Sequence, residues 1–138
     1  GIDLATAAHL LEAFRQGLRD LGYIEGRNVV IEIRSAEGKL ERLPALAAEL
    51  VALKVDVIVT GGPGPRDAAR QATNSIPIVT VSGADPVAEG WAQSLARPGG
   101  NVTGLTVTFP ELNAKRFELL KQAFPGVVRV ALLLSFTR

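Results

Sequence analysis

Apolar positions at Ala8, Leu11, Phe14, Leu18 and Leu21 recur at three- and four-residue spacing, with Arg15, Arg19 and Asp20 mainly between them. That period predicts a first helix, and Gly22 stands where a helix C-terminal glycine belongs. The β-branched run Val29-Val30-Ile31-Glu32-Ile33-Arg34 predicts a strand ended by Gly38. Leu43, Leu46, Ala47, Leu50 and Leu53 share one face of a helix over 41–53, with Pro44 tolerable in its first turn. Val55 to Thr60 is apolar except for Asp56 and reads as a parallel strand buried on both faces.

The stiff loop Gly61-Gly62-Pro63-Gly64-Pro65 precedes a short helix expected from Pro65 or Arg66 to Thr73. Ile76 to Val81 is a further strand, with Pro77 at its entry, and Ser82-Gly83-Ala84-Asp85-Pro86 is a second strand-to-helix loop. A helix over 87–95, a turn at Arg97 to Asn101, a strand over 102–107, a helix over 111–124 and a closing apolar strand over 127–134 follow. The resulting order, α-β-α-β-α-β-α-β-α-β, implies an α/β fold: a three-layer parallel sheet flanked by helices, flavodoxin-like or Rossmann-like. Such a unit normally begins with a strand and this one begins with a helix, so the first strand is expected to be lacking or replaced.

The chain has 138 residues, the size of one compact domain. Fifteen basic and fourteen acidic residues give a formal charge of +1, so no whole-chain field favours nucleic acid or an anionic membrane. Cysteine is absent, which excludes disulfides, Cys-ligated metals and thiol nucleophiles. One histidine, His9, rules out a multi-histidine metal site and is read as a surface residue. No apolar run approaches a membrane span, and residues 1–15 carry no signal-peptide pattern. The lack of methionine and the Gly at position 1 predict that this is not a complete translation product.

In an open α/β sheet, ligands bind beyond the carboxyl ends of the strands, where helix N-termini attract anions. Two loops belong at that edge, giving Gly62, Pro63, Gly64, Ser82 and Asp85 as candidate ligand-binding residues. Each also has a structural reading. The glycines suit close strand–helix packing, and Asp85 before Pro86 suits a helix N-cap. Nucleotide-binding motifs are absent, and Pro63 and Pro65 delete two N–H donors that a phosphate nest uses. Asn101-Val102-Thr103 matches a glycosylation triplet by chance, Trp91 reads as a packing or interface residue, and Lys115, Arg116, Lys121 and Arg129 read as a solvated face. No catalytic constellation, metal site or cofactor motif emerges.

Several stretches together resemble one family. They are Leu10 to Tyr23, Glu25 to Glu32, Leu43 to Val51, Val55 to Val59, Ala84 to Val87 and, most specific, Leu95 to Gly104. Their order and spacing are similar to the substrate-binding components of ABC importers of type I periplasmic-binding fold, in a branch with proposed aromatic amino-acid ligands. The resemblance implies two α/β lobes closing on a small ligand like a hinge, an ABC transporter permease as partner, no catalysis and no cofactor. It also implies a periplasmic or lipid-anchored location. Residues 1–125 would be the N-terminal lobe without its first strand, and 126–138 a strand resembling the start of the second lobe.

The loop after Thr60 departs from the family's usual threonine before Pro-Ala, which leaves backbone donors near Gly64 and Arg66 to meet a ligand carboxylate. The lacking first strand would leave unpaired edges at 29–34 and 55–60. Residues 128–134 are expected to fill that gap, within the chain or swapped from a second copy. The alternatives are an enzyme on the same fold class, which fold alone permits, and a sensory or structural remnant that no longer transports.

Overall fold

The computed structural model describes residues 8–83, 85–106 and 110–126, with the side chains of 110–114, 116 and 117 outside the description. Two compact units divide the chain, residues 1–107 and 108–138.

The first unit opens with α1 (Ala8–Asp20). Its end is set by chemistry legible in the sequence. Gly22 takes φ +86°, Tyr23 N–H donates to Leu18 O at 2.8 Å, and Gly22 N–H donates to Arg19 O at 2.9 Å. That is the pair of bonds of a Schellman cap, which only a glycine makes without strain. Asn28 ties the following turn: its Oδ1 accepts from Ile24 N–H at 2.6 Å and its Nδ2 donates to Gly22 O at 2.9 Å.

A 3-10 turn (Leu40–Arg42) leads into α2 (Leu43–Ala52), with Pro44 in the first turn, where a missing N–H costs nothing. Next come β1 (Ile58–Gly61), α3 (Pro63–Ala72), β2 (Ile78–Ser82) and β3 (Val102–Thr106). The three strands form one parallel sheet in the order β1-β2-β3. Ile58 is paired with Ile78, and Ile78 with Val102.

The core lies on one face of this sheet. Ile58, Ile78 and Val102 pack there with Ala69 of α3 and with Trp91 and Ala92, and Leu50 and Val51 of α2 close its edge. Gly104 lets β3 approach β2, because a Cβ there would overlap the carbonyl oxygen of Thr80. The Asn101 side chain donates to Ile76 O at 2.8 Å and to Thr73 O at 3.3 Å, fixing the α3–β2 loop against β3. The Asn101 amide is thus committed to two carbonyls, a structural role.

Three expectations are corrected. Residues 29–34 form no paired strand among the described residues, where a single bridge joins Glu25 and Val29. Burial still alternates along them, with Val29, Ile31 and Ile33 half-buried and Val30, Glu32 and Arg34 exposed. The segment keeps the two-residue period of a strand and lacks the neighbour that would pair with it. The helix expected over 87–95 is a single turn, because Gly90 takes φ +71° and Trp91 and Ala92 N–H both bend back to Pro86 O at 3.1 Å. Finally, β1 alternates: Ile58 and Thr60 are buried and Val59 is 51% exposed. The sheet's second face also leaves Val81 and Leu105 exposed, and α1 has no buried residue.

The second unit contains α4 (Pro110–Ala123), on which Lys115 pairs with Glu118 at 2.9 Å. The strand expected over 127–134 lies outside the described residues. No described helix is long and apolar enough to cross a membrane.

Candidate functional site

Strands β1 and β2 run parallel, so the loops after Gly61 and Ser82 emerge at the same edge of the sheet. They are joined there. Gly62 N–H donates to Val81 O at 2.9 Å. Gly62 caps α3 with φ +87° and ψ 172°, a region open essentially to glycine alone, and no side chain caps that end. Pro63 and Pro65 carry no N–H, so Gly64 holds the one backbone donor in residues 63–65. A Cβ on Gly64 would sit 3.3 Å from Leu43 Cδ1, so this glycine also sets how closely α3 packs on α2.

The second loop is ordered by Asp85. Its Oδ1 accepts from Val87 N–H at 2.9 Å and Ala88 N–H at 3.1 Å, the capping role its sequence context allowed, here on one turn. Ser82, the last residue of β2, is 2% exposed. Of the five candidate residues, Gly62, Ser82 and Asp85 are thus fixed by contacts within the two loops. Gly64 packs on α2, and Pro63 is exposed at the start of α3.

The residue that joins the loops is Arg66, which the sequence reading left aside as one backbone donor. Its side chain is 3% exposed. Nη2 lies 2.8 Å from Asp67 Oδ1 and 2.7 Å from Glu89 Oε2, and Nη1 reaches Ser82 Oγ at 3.5 Å, the outer limit of a hydrogen bond. The guanidinium carbon stands 5.2 Å from the centre of the Trp91 ring, and Trp91 Nε1 donates to the same Glu89 Oε2 at 3.3 Å. A buried guanidinium needs partners to offset its lost hydration, and here two carboxylates and an aromatic face provide them. The sequence signal for Arg66 was its place three residues before Ala69 on the inward face of α3, a charge on an apolar stripe.

Two further groups at the core are unusual. The hydroxyls of Thr60 and Thr80 are buried without a hydrogen-bond partner among the described residues. Among the described residues, no cluster of His, Cys, Asp and Glu fits a metal ion. A shallow depression lined by Arg15, Leu18, Arg19, Tyr23, Ile24, Glu25 and Ile31 lies against α1 and shares no residue with the two loops.

A parallel α/β sheet with two linked loops at the carboxyl ends of its strands has the architecture that open α/β folds use to hold small ligands. Comparison with known proteins sharpens this class. Residues 6–137 match the model of the family described as ABC transporter substrate binding protein, and the chain belongs to that family. It is 32% identical over 122 residues to a tyrosine-binding protein of Clostridioides difficile strain R20291, covering 88% of this chain and 35% of that protein.

Solved structures agree. A substrate binding protein with adhesive properties from Clostridium difficile, in its ligand-free, open form, is 30% identical with a TM-score of 0.73, over 84% of this chain and 39% of that one. An ABC domain from Streptococcus pneumonia in complex with L-Trp is 28% identical with a TM-score of 0.70, over 83% of this chain and 38% of that one. The chain therefore spans well under half the length of these relatives, whose names describe binding rather than catalysis.

Proposed function

We propose that this chain is the N-terminal lobe of the solute-binding component of an ABC importer, working outside the cytoplasm, in the periplasm or lipid-anchored, with a transporter permease as partner. Its ligand is a small amino-acid-like molecule, an aromatic L-amino acid, held at the carboxyl ends of β1 and β2. The observation that carries this reading is the family match over residues 6–137 together with the two linked loops at that edge. The tyrosine in one relative's name and the L-Trp in another's structure support the aromatic class.

In this reading Gly62, Pro63 and Gly64 form the backbone turn that meets the ligand carboxylate at the N-terminus of α3. Ser82 and Asp85 supply the polar side chains of the facing loop. Titration calorimetry of the chain with L-tyrosine and L-tryptophan, with D-tyrosine as control, tests it. Saturable binding of an L-aromatic, weakened about tenfold in Gly62→Ala, is the expected result. No saturable heat with either L-amino acid rejects the reading for this chain.

The same reading gives residues 128–134 a place: they pair with the open edge of β1, within the chain or by exchange with a second copy. Native mass spectrometry separates the two, since exchange produces a dimer. A structure with 128–134 outside the sheet rejects both.

A further inference from the structure

We propose that Arg66 is the positioning residue of this site, locking the loop that follows β2 against the first turn of α3 so that Ser82 and Asp85 are presented in one arrangement. The inference rests on the binding function proposed above, and it names the part of the site that neither the family match nor the loop pattern assigns.

The geometry is that of a clamp. Arg66 belongs to α3, and Ser82 ends β2, sixteen residues away. Glu89 and Trp91 lie on the far side of the Asp85 turn. One buried guanidinium therefore touches both ends of the loop at once. Glu89 Oε2 closes the circuit, accepting from Arg66 and from Trp91 Nε1.

Glu89 and Asp67 are 41% and 47% exposed while Arg66 is 3% exposed, so the charge is inside and its partners face solvent. A lysine fits this arrangement poorly. Its single ammonium has neither the flat face that stacks on Trp91 nor the fork that spans Glu89 and Asp67 together. Among the described residues, this arginine of α3 reaches both ends of the loop, at Ser82 and at Glu89.

Trp91 is the chain's single tryptophan, so its fluorescence, excited at the red edge where Tyr23 does not absorb, and the indole band of the near-ultraviolet circular dichroism report on the clamp. Three variants of the intact chain test the proposal: Arg66→Lys, Arg66→Met and Glu89→Gln. The last removes one charge from a side chain that is 41% exposed, so it keeps the fold if either arginine variant does not. Each is read by Trp91 emission without ligand, by the far-ultraviolet spectrum, and by calorimetric affinity for L-tyrosine.

The expected result is a red-shifted Trp91 emission and a diminished indole signal in all three, with far-ultraviolet spectra retained in Arg66→Lys and Glu89→Gln. L-Tyrosine affinity falls about tenfold in Arg66→Lys, one decade in Kd, and less in Glu89→Gln. Combining Arg66→Lys with Glu89→Gln loses less than the sum of the two singles, because both act on one ion pair. Unchanged Trp91 spectra, or unchanged affinity alongside shifted spectra, in both folded variants overturns the proposal. If the unmodified chain binds no L-tyrosine, the binding function fails first, and the Trp91 spectra alone decide whether Arg66 positions the loop.

Discussion

At Thr80 the chain places a hydroxyl, with no partner among the described residues, at a position that is 0% exposed. A buried polar group without a bond loses its hydration and gains nothing in return. Thr80→Val keeps the shape and removes the penalty, so the thermal midpoint of this variant is expected to hold or rise, by about 0–1 kcal/mol in stability. The opposite is expected across the sheet at Gly104, which is paired with Thr80. Gly104→Ala drives a methyl into the Thr80 carbonyl, and chemical denaturation should show a loss of about 3 kcal/mol. Asn101→Ala strands the carbonyls of Thr73 and Ile76 and should cost about 1–3 kcal/mol in the same assay. Two of these residues, Asn101 and Gly104, fall in the most family-specific stretch of the chain, and both are explained by β3 packing rather than by ligand contact.

Elements whose signals are local were legible in the sequence. The Gly22 cap of α1, the entry of α2 at Pro44 and the start of α3 at the Gly-Pro loop each depend on a few neighbouring residues, and each lies within a few positions of where the pattern placed it. What was not legible depends on partners elsewhere. The strand period at 29–34 is present, but a strand is completed by its neighbour's N–H and C=O groups, and no described segment supplies them. The 87–95 run carries helix-forming residues, yet Gly90 and the double return to Pro86 O stop it after one turn. In the site, the glycines and Asp85 could be read from turn chemistry, whereas the role of the Arg66 side chain depends on its burial against Glu89 and Trp91, which lie more than twenty residues on.

On α1, Glu12 accepts from Arg19 at 2.6 Å, and that hydrogen bond and charge hold its carboxyl below the ordinary carboxylate range. A depressed folded pKa contributes stability above the unfolded value and loses it as pH falls through the folded one. A carbon-detected titration should therefore place the Glu12 midpoint below those of unpaired glutamates, and Arg19→Gln should return it to the ordinary range.

For the whole molecule, the chain matches well under half the length of its relatives, 35% of one and 39% of another. The described core is small and one-sided. Ile58, Ile78 and Val102 are buried, while Val59, Val81 and Leu105 on the other face are about half exposed or more. Leu10 and Leu21 of the α1 region are likewise 54% and 77% exposed. Apolar surface of this extent is ordinarily covered. Native mass spectrometry of the chain is thus expected to show association, and Val59→Thr with Val81→Thr should shift it toward monomer without loss of the buried face.

Among the described residues no strand pairs with the outer edge of β1, and this has a consequence in time as well as in space. In a parallel strand, successive N–H groups point to opposite sides. Ile58 and Gly62 donate toward β2, to Pro77 O and Val81 O, which leaves the N–H groups of Val59 and Gly61 on the outer side. Hydrogen exchange should read β1 as a comb, with slow and fast amides alternating residue by residue. A strand docking along that edge would slow the fast teeth and leave the slow ones unchanged, so this four-residue segment records whether the sheet has found its neighbour.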